Sequence, residues 1–173
     1  MKILVGITGA AKADIFGPGR EALALAHAAF GERGFFVPAR ALPAGFVRVP
    51  YTFGESEEAR RARLAALSVV NHPLVPTPVD EAQGLDTIAF FAACRIAFPC
   101  AHIVVDLELL GHKLGQLCLS FGADALVGSV VDQRALRLGE RAGSKELTRD
   151  EAAQLLRASG FEPCEGLPGE RGP

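Results

Sequence analysis

Ile103-Val104-Val105-Asp106-Leu107-Glu108 opens the stretch that decides the fold. A short β-branched run is followed by Leu110, Leu114, Leu117, Cys118 and Phe121 at helical spacing, then by Gly122 and a second aliphatic run from Leu126 to Val131. The change from a continuous apolar run to a 3.6-residue stripe and back reads as strand, helix, strand. Gly122 stops the helix, because glycine takes the left-handed conformation of a helix end at little cost. Two strands separated by a helix are parallel neighbours, since only a crossover of that length returns the chain to the same end of a sheet.

The same alternation extends outward in both directions. Upstream, Asp80 is placed to cap a helix with Leu85, Ile88, Ala89, Ala92 and Ile96 on one stripe, ended by Pro99. Pro73, Pro76 and Pro78 predict an extended loop leading to Asp80, and Leu67 to Asn71 reads as a strand before it. Ser56 is the expected N-cap of a helix whose first turn holds Glu57 and Glu58 and whose next turn holds Arg60, Arg61 and Arg63, the charge order a helix dipole favours. Phe35-Phe36-Val37 and Phe46-Val47-Arg48-Val49 are short strands that the neighbouring prolines confine to edge positions. Arg20 to Phe30 carries Leu23, Ala26 and Phe30 at helical spacing, and Phe16-Gly17-Pro18-Gly19 before it reads as irregular. Lys2 to Ile7 reads as a strand entering a Thr8-Gly9-Ala10-Ala11 loop. Downstream, Thr148 and Glu151 form a capping box, preceded by Leu147 and closed by Gly160.

These elements make one α/β domain over residues 1–165, with residues 166–173 as a disordered tail. A closed eight-unit barrel takes about 250 residues. The expected architecture is therefore a partial (β/α) barrel or a short open parallel sheet with flanking helices. Too few strands to close a barrel leave unpaired edges, so a homodimer or a partner subunit is expected to cover them.

Composition narrows the function. The chain has 173 residues, 49% of them hydrophobic and 22% charged, with a formal charge of -2. Such a balance provides no basic field for nucleic acid. No apolar run reaches the roughly 18 residues of a membrane span, and Met1 to Ile7 is too short for a signal-peptide core, so a cytoplasmic location is expected. Cys94, Cys100, Cys118 and Cys164 form no C-x-x-C and read as reduced thiols. The histidines show no ligand spacing, which predicts no metal site. The sequence has no G-x-x-x-x-G-K-[ST], no G-x-G-x-x-G and no G-x-S-x-G.

Pro76-Thr77-Pro78-Val79-Asp80, Leu85 to Arg95, Leu110-Gly111-His112-Lys113-Leu114-Gly115-Gln116-Leu117, Phe121 to Asp132 and Leu147-Thr148-Arg149-Asp150-Glu151 come in one order and spacing. In these blocks the chain resembles the C-terminal barrel half of radical-SAM enzymes of the futalosine pathway to menaquinone, such as aminofutalosine synthase and cyclic dehypoxanthinyl futalosine synthase. The resemblance spans residues 76–165 and implies a nucleoside-like or aromatic acid ligand. Those enzymes hold an iron-sulfur cluster on a C-x-x-x-C-x-x-C motif. This chain has no cysteine before Cys94, so no cluster is expected. Ala125 and Gln133 stand where the family carries acidic residues. A truncated or degenerate relative that does not cleave S-adenosylmethionine by itself is the resulting expectation. Separately, Lys2 to Ala10 resembles the opening strand and loop of the flavin-binding UbiX-type prenyltransferases, which makes Thr8 and Gly9 candidate contacts for a flavin phosphate; Ala11 and Lys12 depart from that family's loop.

In parallel α/β folds ligands sit beyond the carboxyl ends of strands. That rule selects Asn71, His72, Asp106, Glu108, Ser129 and Asp132 as candidate ligand-binding residues. Asp106 and Glu108 directly follow a strand and suit ribose hydroxyls or a cation, and His72 suits proton transfer.

Overall fold

The computed structural model of the chain describes residues 16–67, 72–80, 84–131 and 146–168. In chain order these hold α1 (Phe16–Phe30), β1 (Arg33–Pro38), β2 (Val47–Tyr51), α2 (Glu57–Ala66), β3 (Leu74–Pro78), α3 (Gly84–Ala97), β4 (Val104–Asp106), α4 (Leu107–Ser120), β5 (Ala125–Gly128), α5 (Arg149–Ala158) and β6 (Glu162–Glu165). Every strand pairing is parallel: a four-stranded sheet runs β4-β5-β1-β6 and a two-stranded sheet pairs β2 with β3. Among the described residues, a single bridge, Leu74 to Ile103, joins the two sheets.

The prolines of β3 explain that division. Val79 donates its N–H to Tyr51 on β2 at 2.9 Å, whereas Leu74 donates to His102, just before β4, at 2.8 Å. Strand N–H groups alternate in direction, so the positions facing β4 are Leu74, Pro76 and Pro78, and proline has no N–H to give. The segment expected to be a loop is thus a strand, paired on its β2 side and nearly unpaired on its β4 side.

Across both sheets the strand order is β2-β3-β4-β5-β1-β6. Consecutive parallel strands laid side by side, each pair joined by one helix, carry those helices on the same side. The cores agree with this. Ala22 and Ala26 of α1, Leu64 of α2, Phe91 of α3, Leu119 of α4 and Leu156 of α5 share one core with Val49, Tyr51, Leu74, Val105 and Leu126 of the strands. Tyr51 stacks on Phe90 and shares a 2.8 Å hydrogen bond with Thr87, and burial pushes its hydroxyl up to about 12. The opposite face carries Val37, Val75, Val104, Ala125 and Val127, and it is covered by Leu42 and Phe46 of the β1–β2 connection and by Leu167.

Two caps fall where expected: the Ser56 hydroxyl accepts from the Ala59 N–H, and Thr148 and Glu151 complete a capping box. Asp80, the expected cap of α3, lies four residues before its first residue, Gly84, and residues 81–83 are outside the described residues. Several boundaries differ from expectation. α1 begins at Phe16, because Pro18 lies in the first turn, where its missing N–H has no helical partner to lose. β1 is an internal strand, between β5 and β6, since Pro38 is its last residue. The tail expected to be disordered from Gly166 is ordered as far as Pro168, with Gly166 donating to Phe36 at 2.9 Å and Leu167 buried; residues 169–173 lie outside the described residues. Of the two predicted apolar stripes, Leu85 and Leu117 are exposed, while α3 is buried on nearly all sides from Thr87 to Ile96.

Candidate functional site

The carboxyl ends of β1, β4 and β5 enclose a cleft of about 280 Å³. Four charged side chains line it: Arg40, Arg48, Asp106 and Glu108. Leu42, Leu109 and Val127 supply its apolar wall. Strand alternation places them there. Val47 and Val49 pack with the helix-side core, so Arg48 between them faces the other way; Val104 faces the second core, so Asp106 two residues on does too. Glu108 and Leu109 stand on the single turn Leu107–Leu110, which Gly111, at φ 69 and ψ 171, separates from the rest of α4. A positive φ of that size is open to glycine and strained for other residues.

Asp106 is 7% exposed. One carboxylate oxygen accepts the Glu108 N–H at 3.1 Å, and the other faces a guanidinium nitrogen of Arg48 across 3.7 Å. Burial pushes this carboxyl above the ordinary carboxylate value, and the Glu108 N–H and the Arg48 charge pull it part of the way back.

The predicted site residues are only partly brought together. Asp106 and Glu108 line the cleft. Ser129 is buried just beyond Gly128, and its side chain is outside the lining; its carbonyl accepts the Leu147 N–H at 3.1 Å. His72 precedes β3, so it lies at the amino end of the sheet, exposed, with Nδ1 3.1 Å from the Gly45 carbonyl. The expected strand from Leu67 would have put His72 at a carboxyl end, but Leu67 is the C-cap of α2 and residues 68–71 lie outside the described residues. Asn71, Asp132, Thr8 and Gly9 lie there as well. Arg40 and Arg48 went unpredicted, although the signal was present: Arg48 breaks an apolar strand, and Arg40 follows the carboxyl end of β1.

At the amino end sits a second polar cluster, also unpredicted. Arg95 is fully buried and donates to the carbonyls of Gly122 at 2.8 Å, Pro99 at 2.9 Å and Ala101 at 2.6 Å, and to the Asp124 carboxylate. Asp124 also accepts the Ile103 N–H at 2.8 Å and meets His102 Nδ1 at 2.5 Å. Phe30 stacks on His102 and lies under the Arg95 guanidinium. Burial works against the Arg95 charge, and Asp124 opposes that effect.

Cys94 and Cys118 are buried within α3 and α4, where burial pushes both thiols up; Cys100 follows α3 and Cys164 lies on β6. Among the described residues, no group of three His, Cys, Asp or Glu side chains is arranged to hold a metal ion. Nor is any described helix long and apolar enough to cross a membrane.

No family model matches the chain. Over 86 residues it is 34% identical to aminodeoxyfutalosine synthase of Streptomyces coelicolor. The match takes in 49% of this chain and 22% of that protein, so the chain spans about a fifth of its relative's length. This partial likeness supports a relation to the futalosine pathway.

Proposed function

We propose that the chain is a degenerate relative of the futalosine-pathway radical-SAM enzymes, one that binds a nucleoside-like ligand in the carboxyl-end cleft and does not by itself cleave S-adenosylmethionine. The observation that carries this reading is Asp106, a buried carboxylate at the end of β4 that faces an open cleft and is only loosely paired with Arg48. With Glu108 it offers acceptors for ribose hydroxyls, while Leu42, Leu109 and Val127 suit the flat apolar part of a ligand. The partial likeness to aminodeoxyfutalosine synthase supports the ligand class. Three thiolates are needed to leave one iron of a four-iron cluster free for S-adenosylmethionine, and the scattered cysteines do not fit that need.

Calorimetry with futalosine-type nucleosides tests the binding half. Asp106→Ala is expected to weaken binding by about 1 to 3 kcal/mol, the cost of losing a buried hydrogen-bond partner, while Ser129→Ala leaves it unchanged. No heat with any nucleoside, or equal binding by the Asp106 variant, overturns the proposal. Anaerobic iron-sulfide reconstitution tests the other half: a stoichiometric cluster in the absorption spectrum would contradict it.

A further inference from the structure

We infer that Pro50 and Pro163 close the two outer edges of the strand row to strand addition, so that the chain does not pair with a second copy through its backbone. Among the described residues β2 and β6 are the outermost strands, and each has a neighbour on one side only. A short all-parallel row with two open margins is the arrangement for which a covering homodimer is expected. Register decides which backbone groups such a copy would meet.

In a parallel ladder the N–H and C=O of one residue point to the same neighbour, and those of the next residue point to the opposite side. Val47 donates to the Pro73 carbonyl at 2.8 Å and the Tyr51 carbonyl accepts from Val79 at 2.9 Å, so Val47, Val49 and Tyr51 face β3. Arg48 and Pro50 therefore face outward. On the other margin Glu162 donates to the Glu32 carbonyl at 2.5 Å and Gly166 to that of Phe36 at 2.9 Å, so Glu162 and Cys164 face β1 while Pro163 and Glu165 face outward. Each outer strand thus has two outward positions, and a proline takes one of them. One outward N–H is left per strand, that of Arg48 on β2 and that of Glu165 on β6. In place of the missing hydrogen a ring carbon points at the incoming strand. Every arrangement of copies meets this obstacle. β2 against β2, or β6 against β6, makes a twofold antiparallel pair, whereas β6 against β2 continues the parallel row from copy to copy without closing, which is the route to fibres. One proline on each edge blocks all three.

The test follows the full chain from low to high micromolar concentration by light scattering, with amide deuterium exchange read at Arg48 and Glu165, for wild type, Pro50→Val, Pro163→Val and the double variant. In wild type neither amide is expected to slow as concentration rises. Each single variant is expected to form pairs through its opened edge, and the double variant to grow beyond pairs. The Arg48 amide in Pro50→Val, and the Glu165 amide in Pro163→Val, should slow at least about tenfold on association. Circular dichroism melts show which variants are folded. Protection of either amide in wild type at high concentration overturns the inference, and so does a folded double variant that keeps the mass of a single chain. Association of wild type with both amides still fast places the contact on another surface and supports closed edges. If no valine variant folds, the exchange of the two wild-type amides decides alone.

Discussion

The two ends of the sheet use the same kinds of side chain to opposite effect. At the amino end, the Arg95 guanidinium reaches three carbonyls and a carboxylate, and Asp124 takes up Arg95, His102 and a backbone N–H. At the carboxyl end, Arg48 and Asp106 stand apart at 3.7 Å beside an open cleft. A densely bonded buried network contributes to stability and leaves little hydrogen-bonding capacity for a ligand. An unsaturated one contributes little to stability and keeps its hydrogen-bonding capacity for something else. In parallel α/β folds ligands sit at the carboxyl ends, and in this chain that is the end whose charged groups are less fully paired.

The largest expected effect lies in the saturated network. Asp124→Ala leaves the Arg95 charge buried and unpaired, which costs about 3 to 5 kcal/mol, visible as a large drop in the urea midpoint. A loss below about 1 kcal/mol would erase the distinction between the two ends. A smaller loss is expected from crowding the same network without touching its charges. Gly122 has a φ of 98°, and a Cβ there would lie 2.8 Å from the Ala22 Cβ and 2.9 Å from the Arg95 Cβ. Gly122→Ala is expected to cost about 1 to 3 kcal/mol by the same measurement, and a neutral result would mean that the Arg95 site is looser than its hydrogen bonds imply.

The smallest effect belongs to the open end, and its sign is reversed. Burial raises the Asp106 carboxyl above its ordinary value of 3.8, so the folded state holds this proton more tightly than the unfolded chain does. The contribution of Asp106 to stability is therefore highest in acid, declines as pH rises from 3.8 through the raised folded-state value, and is flat above it. Asp106→Asn, which keeps an oxygen for the Glu108 N–H, removes that decline. Urea unfolding of both proteins from acid to neutral pH should show the variant gaining on wild type as pH rises. A gain by wild type instead would mean that the Arg48 pairing outweighs burial.

How much of this was legible in the sequence depended on the range of the interaction. Ser56, Thr148 and Glu151 act within one helical turn, and each was readable as a cap. β4, α4 and β5 were readable because their apolar periods are continuous. Arg95 and Asp124 are 29 residues apart and meet only when α3 lies against the start of β5, so no local pattern marks the pair. The cleft shows both cases. Asp106 and Glu108 follow the end of a clear strand and were found, whereas Arg48 lies within a strand that was read, where a rule that looks only beyond strand ends does not select it. His72 was misplaced because one wrong strand boundary exchanges the two ends of a sheet.

The alternating prolines of β3 act as an expansion joint. Arg48 belongs to the β2–β3 block and Asp106 to the β4–β5 block, and one bridge, Leu74 to Ile103, ties the blocks through the backbone. Elsewhere along that joint the spacing is kept by side chains such as Tyr51, Leu74 and Val105 in their common core. The gap between guanidinium and carboxylate is thus set by how apolar side chains settle against one another. Between β3 and β4 no continuous row of backbone hydrogen bonds fixes the width of the cleft.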